Sequence, residues 1–495
     1  MFKGRLYIMG FIISIFMFIL VGRLFSLTII HHREYTERVN HQISREVKTY
    51  YPRGKIVDRN GIPFTGRAKT EDGLTLSKHL NQDFLAKHVI GNIQYQYKDN
   101  TIHGIKGVSG LQKLFDSDLN GGLPIRIMQY KDGRGKSLSR NTYFVSGDHI
   151  NQGSNIKLTL DYHIQKTIEE EMEKFIRQNR GGTAAGLSVV VLDVQRGEVL
   201  GMASLEDQNN KALQSFPLGS VFKTIVAAKA LEDGVVDLDE EFICNGTIII
   251  DDQMKHCHQG EGHGAITFKE AFAHSCNIVF YQVAMRLVEY NPNGTIGGNR
   301  VLDLAEEFGF SPFSEKRKDG FLLSDNYSIN SLPDHITCQL DVFNMALGQG
   351  MIESSPLMAT KIMATIANGG ILREPILVQE IQSPDGSIEK KFNHQKGVRI
   401  IHEEVNDQLQ ELLEEVVLIG TAMGVEELEY PIAGKTGTAQ NGRVRPHAWF
   451  SGYFPADRPM YAMTVFVEEG GSGSSVAVPL FKDISKRIMN LGERN

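Results

Sequence analysis

Ser220-Val221-Phe222-Lys223 places a hydroxyl and an amine three residues apart. In a helix that spacing puts both side chains on one face. A serine hydroxyl is a poor nucleophile until a neighbouring base takes its proton, and a partly desolvated lysine with a lowered pKa can be that base. Pro217 and Gly219 shape a turn just before, which would set Ser220 at the positive helix end, where free N–H groups can stabilise an oxyanion. The spacing alone is weak, because Ser154 with Lys157 and Ser387 with Lys390 share it. Further on, Ser275-Cys276-Asn277 carries a serine and an asparagine two apart, a pair that either caps local backbone or projects into a cleft. Ser139 with Asn141 and Ser328 with Asn330 repeat that pattern. Lys435-Thr436-Gly437-Thr438 occurs once, between Ala433-Gly434 and Ala439-Gln440. Small residues and hydroxyls around one lysine on a strand would admit a peptide backbone and hold a carboxylate, although the segment by itself reads equally as a glycine-rich turn.

These residues need a scaffold, and the hydrophobic periodicity outlines one. Leu158 to Asp161 reads as a strand leading into a long amphipathic helix, in which Ile164, Ile168, Met172 and Phe175 recur at three- and four-residue steps. Leu187 to Asp193 is a buried-strand run, and Gly197 to Ala203 pairs with it through a tight turn. Helices are expected at Val221 to Leu231, Phe268 to Leu287, Leu340 to Ala346, Met358 to Ala367 and Glu404 to Val417. Strands return at Ala448 to Phe454 and Tyr461 to Glu468, before a closing helix from Pro479 to Met489. Strands at both ends of a helical block imply an α+β fold with a central antiparallel sheet, discontinuous in sequence and flanked by helices. Glu34 to Ile156 reads instead as short strands broken by turns such as Asp58-Arg59-Asn60-Gly61 and Tyr130-Lys131-Asp132-Gly133, with the main domain boundary near 157. Residues 469–475, rich in glycine and serine, read as a surface loop.

A chain of 495 residues predicts two or three folded units. Hydrophobic residues at 41% and charged residues at 22% suffice for real cores. A net charge of −7 leaves no cation surplus for neutralising phosphates, so no nucleic-acid partner is expected. Four cysteines exclude a disulfide-built fold while leaving room for one bridge. Leu6 to Gly22 is uncharged, and if Arg23 snorkels the apolar stretch runs on to Ile30, long enough to span a bilayer. A cleaved signal peptide or a buried core helix would be the alternatives, but the stretch runs into Leu27 to His32 with no small-residue cleavage site. A single uncleaved anchor is therefore expected. Lys3 and Arg5 favour a cytoplasmic N-terminus, against Arg23 and Arg33 on the far side, so the rest of the chain is expected outside the membrane. The working class is a bacterial exported enzyme or receptor.

In this order the three motifs resemble the active-site set of penicillin-binding proteins and serine β-lactamases: S-x-x-K, S-x-N and K-T-G. The likeness extends to class B penicillin-binding proteins. Arg53 to Gly61 is similar to the motif opening their pedestal domain, and Gly110 to Phe115 to a second one, with Gln112 where that family commonly has glutamate. Gly262-His263-Gly264, Gly348-Gln349-Gly350, Asn368-Gly369-Gly370 and His447-Ala448-Trp449-Phe450 add to it, so the resemblance covers nearly the whole chain. It implies a short cytoplasmic tail and transmembrane anchor over 1–30, a strand-rich pedestal over 31–157 and a transpeptidase domain over 158–495. It also implies roles. Ser220 attacks the penultimate D-Ala carbonyl of a stem peptide with Lys223 as base, Ser275 relays a proton to the leaving D-Ala, and Asn277 binds the substrate backbone. Lys435 orients Ser275, Thr436 and Thr438 grip the terminal carboxylate beside Gly437, and the N–H groups of Ser220 and Thr438 form the oxyanion hole. Leu218 departs from the family, which usually has proline there, and Ser204 to Phe216 is abbreviated.

The activity so implied is that of a membrane-anchored, single-pass D,D-transpeptidase of the bacterial cell membrane, cross-linking peptidoglycan on its extracytoplasmic face and acylated by β-lactams at Ser220. A separate polytopic peptidoglycan glycosyltransferase is the expected partner, because the residues ahead of the boundary are too few and too strand-rich to be one. Two rivals stand beside it. A D,D-carboxypeptidase or class D-like β-lactamase differs only in using water as acceptor. A β-lactam receptor would need a signalling protease, yet His402-Glu403-Glu404-Val405-Asn406 lacks the second histidine, and a catalytically idle scaffold would be expected to lose its serine or lysine. Cys244, His256, Cys257, His258 and His263 fit no usual structural zinc spacing. No metal and no cofactor are therefore expected. A Cys244–Cys257 bridge is one reading, with free thiols the default, and Cys276 reads as a small buried residue. His447 and Trp449 read as sheet packing, and the Arg53 motif as an ion-paired structural element.

Overall fold

The computed structural model describes residues 2–492 apart from 51–52, 66, 70–74, 78–84, 99–100, 122–124, 131, 135, 137–142, 147–152, 179–185, 206–208, 313–329, 426–427 and 443–444. Lys131 of the Tyr130–Gly133 turn, the repeated pairs at Ser139/Asn141 and Ser328, and part of the abbreviated 204–216 stretch thus lie outside the described residues.

Gly4–Ile30 is a 27-residue helix, long and apolar enough to cross a membrane. Phe11, Phe16 and Phe18 stand exposed around it, which suits an apolar solvent rather than a protein core. Beyond it the chain does not pass directly into strands, as its sequence suggested. His32–Ile43 is a further helix, with Arg33–Glu37 and Arg38–Glu34 pairs at 3.2 and 2.7 Å. Such i,i+4 pairs, with no Gly or Pro to interrupt them, favour helix where hydrophobic periodicity is too weak to announce it.

The motif at Arg53 is the hub of the next unit. Arg53 is buried, donates from Nε to Gln112 Oε1 at 2.8 Å and from Nη2 to the Gln112 carbonyl at 3.0 Å, and pairs with Asp116 at 2.8 Å. The neutral Gln112 supplies hydrogen bonds, and the carboxylate comes from Asp116 four residues on. Asp58 Oδ1 caps the following turn by accepting from Asn60 and Ile62 N–H, and Arg59 reaches Glu198 at 2.9 Å. Strand Asn155–Leu158 then joins Ile56–Val57 in parallel and Val378–Gln382 antiparallel. That strand ties the N-terminal unit to the rest of the molecule.

The central sheet runs Val199–Leu205, Gly186–Asp193, Tyr461–Glu468, His447–Phe454, Ala433–Ala439, antiparallel throughout. Its strands come from both ends of the helical block, as the pattern predicted. All eight residues of His447–Phe454 are buried, because helices cover the sheet and every side chain meets protein. Pro356–Ala367, buried at all twelve positions, packs on it, as do Tyr162–Gln178 and Val478–Gly492, which also contact each other. The Trp449 ring packs at a tilt against Phe466, 4.4 Å between centroids, within this sheet, a packing role.

One long helix was expected over Phe268 to Leu287. The chain instead forms Phe268–Ala273 and Asn277–Met285, broken at Ser275, whose φ is +57°. Left-handed backbone at a non-glycine residue is costly and is kept where surroundings impose it. This break builds the site.

Candidate active site

The turn into Ser220 rests on glycine. Gly219 has φ +60° and donates its N–H to the Gly348 carbonyl at 2.9 Å. Gly348 has φ +61°, and a Cβ there would lie 2.2 Å from the Gly219 oxygen, so the Gly348-Gln349-Gly350 segment can press on the Ser220 turn only without a side chain. Leu218 is buried at φ −79°, a value proline also adopts. The family's proline is thus replaced without changing the backbone that the turn needs. Pro217 belongs instead to a short strand beside Glu353–Ser354. Gly219 and Val221 are buried, while Ser220 between them stays partly exposed.

Lys223 opens the helix Lys223–Glu232 and is fully buried. Its Nζ donates to the Ser275 carbonyl at 2.7 Å, to Asn277 Oδ1 at 2.8 Å and to Ser275 Oγ at 3.2 Å. The left-handed residue explains how. By interrupting the helix at Ser275, the chain turns that residue's carbonyl and hydroxyl, together with Asn277 at the start of the next helix, onto one ammonium. Phe280 lies 5.2 Å from Nζ. Burial pulls the Lys223 pKa from 10.5 down to about 7, against a smaller upward pull from Cys276 and Cys257.

Lys435 lies on the sheet's edge strand, buried, with Phe272 at 5.5 Å. Among the described residues its Nζ has no hydrogen-bond partner. Burial and the like charge of Lys223 hold its pKa well below the ordinary lysine value. Thr436 is buried and shares a hydroxyl hydrogen bond with Thr421. Gly437 sits where a Cβ would touch the Leu218 oxygen and Val221 at 3.1 Å, so its bareness lets the strand meet the Ser220 turn. Thr438 is exposed, and its Oγ1 accepts from Gly473 N–H at 3.2 Å. The Lys-Thr-Gly-Thr segment is a strand, not a turn.

Lys223, Ser275 and Asn277 therefore meet through hydrogen bonds, Lys435 feels the charge of Lys223 from the edge strand, and Ser220 stands in the turn that leads into the Lys223 helix. Sequence reasoning missed Thr421 and Gly473. The 469–475 stretch is mostly surface, but Gly473 is buried, and a Cβ there would come within 2.5 Å of the Gly437 and Trp449 carbonyls. Its signal was only a glycine in a glycine-rich tract. His447, buried, accepts from the Glu469 N–H at 3.2 Å and packs edge-on to Phe216. The four cysteines are free thiols, including Cys244 and Cys257.

The family model described as the penicillin-binding protein transpeptidase domain matches residues 187–486. The chain belongs to that family. Stage V sporulation protein D of Bacillus subtilis is 27% identical over 410 residues, covering 77% of this chain and 60% of that protein. Peptidoglycan D,D-transpeptidase PbpA of Mycobacterium tuberculosis is 27% identical over 377 residues, covering 66% of this chain and 71% of that protein. The chain thus spans about 60% of the length of the B. subtilis relative. Among solved structures, penicillin-binding protein 3 of M. tuberculosis aligns with a TM-score of 0.71 at 24% identity, over 90% of this chain and 97% of that one. The fold is that of a class B penicillin-binding protein, as the three motifs together with the Arg53–Gly61 and Gly110–Phe115 segments had implied.

Proposed function

We propose that this chain is a membrane-anchored D,D-transpeptidase that cross-links peptidoglycan stem peptides through a Ser220 ester. One observation carries the reading: a fully buried lysine, poised near neutrality at a pKa of about 7, one helical turn from a partly exposed serine. A lysine that is substantially neutral at physiological pH can act as a base. Ser220 Oγ attacks the carbonyl of the penultimate D-Ala as Lys223 takes the hydroxyl proton. The oxyanion is met by the N–H groups of Ser220 and Thr438. The C–N bond then breaks, Ser275 passes a proton to the departing D-Ala amine, and the acyl group stays on Ser220. An acceptor amine from a second stem peptide attacks that ester, a new amide forms and Ser220 regains its proton. A β-lactam enters by the same first step, its ring amide opening onto Ser220. Asn277 holds the substrate backbone, Lys435 sets the field at Ser275, and Thr436, Gly437 and Thr438 line the place for the terminal carboxylate.

Residues 1–30 serve as tail and anchor, 31–157 as pedestal and 158–495 as the catalytic unit, with the last two outside the bacterial cell membrane. The apolar Gly4–Ile30 helix supports the anchor. A polytopic glycan polymerase is the partner that the class B resemblance supports, in line with the fold shared with a chain of a solved peptidoglycan synthase complex. Labelling of the purified protein and of Ser220→Ala with a fluorescent penicillin tests the site: labelling of the first alone is expected. Equal labelling of both, or of neither, would overturn it. The lifetime of the adduct separates transferase from hydrolase, since turnover within seconds would make the chain a β-lactamase.

A further inference from the structure

Cys244, Cys257, His263 and Cys276 come from four segments separated in sequence, yet their ligand atoms all lie within 4.8 Å of one another. Cys244 ends the strand Glu241–Cys244, and Cys257 follows the hairpin strand Gln253–His256. His263 precedes the strand Gly264–Thr267, and Cys276 sits in the helix break. The three thiols are buried, and the imidazole closes the partly open side. Cys257 Sγ is 3.8 Å from Cys276 Sγ and 3.6 Å from His263 Nδ1. With Zn–S of about 2.3 Å and Zn–N of about 2.0–2.1 Å, a tetrahedral zinc requires S···S of about 3.8 Å and S···N of about 3.6 Å. These two edges match those of the tetrahedron, and the remaining ones lie within 4.8 Å. A disulfide uses two sulfurs at about 2 Å and would leave a third buried thiol and the imidazole without a purpose.

We propose that Cys244, Cys257, His263 and Cys276 form a structural zinc site that clamps the Ser275-Cys276-Asn277 break. Three thiols and a neutral imidazole are a closed donor set for zinc, with no open position for substrate. Binding releases the three thiol protons and leaves a complex of net charge −1, since two positive charges meet three negative ones. The spacing along the chain hid the site, because Cys244 and His263 meet at one end of the paired strands Glu241–Cys244 and Gly264–Thr267, Cys257 follows the hairpin enclosed between them, and Cys276 comes from the helix break. The site stands apart from the assignment of the reaction, and its test does not use turnover.

The full-length protein, purified in detergent without a polyhistidine tag under reducing conditions from zinc-supplemented cells, is expected to carry about one zinc per chain by mass spectrometry. The Cys244→Ser/His263→Ala variant is expected to fall below about one-fifth of that, and Cys338→Ser, outside the cluster, to keep it. Because a ligand variant can fail to fold, the wild type provides a second measurement. Titrating its thiols with a mercurial should release the zinc to a colorimetric chelator in step with modification of three of the four cysteines. Amide exchange over 274–278 should rise on zinc removal. Zinc-free wild type, unchanged zinc in the double variant, or a Cys257–Cys276 disulfide in alkylated protein would overturn the site, and unchanged exchange over 274–278 would overturn the clamp.

Discussion

Acylation of Ser220 should follow the titration of Lys223. The ammonium form cannot accept a proton, so the rate rises with pH as the amine becomes neutral. With a pKa of about 7 in place of 10.5, the neutral fraction at pH 7.4 is about 0.7, against roughly 0.001 for an ordinary lysine. Burial thus supplies nearly a thousandfold more active base. Between pH 6 and pH 8 the neutral fraction goes from about 0.09 to about 0.9, so the acylation rate should increase about tenfold and flatten above pH 8. Stopped-flow labelling with excess fluorescent penicillin, from pH 5.5 to 9, measures it directly. A rate independent of pH between 6 and 8, or a midpoint above pH 9, would refute the assignment of Lys223 as base. The same shift has a stability counterpart of fixed sign. The unfolded chain binds the proton more tightly than the folded one, so Lys223's contribution to stability is least favourable below pH 7 and improves as pH rises from about 7 to 10.5.

Gly348→Ala would force a Cβ to within 2.2 Å of the Gly219 oxygen at a left-handed position, so penicillin labelling should drop at least about tenfold while far-ultraviolet circular dichroism is kept. Arg53→Ala leaves Asp116 and Gln112 without their buried partner and should cost about 3 kcal/mol, read as a lower thermal midpoint. Lys435→Met removes a buried amine that has no hydrogen-bond partner among the described residues. It should stabilise the fold by about 1–3 kcal/mol while abolishing rapid labelling, and a destabilised but active variant would contradict both halves.

Much of the catalytic unit was legible because it is written in local terms. The buried runs over 187–193, 448–454 and 461–468 could satisfy their backbone and bury both faces only in a sheet, and strands are observed there. Ser220 with Lys223, and Lys435 through Thr438, carried their chemistry in their types and order. What periodicity could not register was the break at Ser275. Residues 268–287 are apolar at helical spacing, and the left-handed φ that divides them is imposed by neighbours distant in the chain. The same holds for Arg53, whose partners lie some sixty residues on, and for Gly473, which looked like loop but fills a gap against the edge strand. Which hydroxyls, amines and thiols the protein possesses, and the elements that carry them, follow from the sequence. That Lys223 loses its water, that Lys435 has no hydrogen-bond partner among the described residues, and that three thiols meet one imidazole were decided by tertiary packing, because burial and convergence belong to segments brought together, not to any one of them.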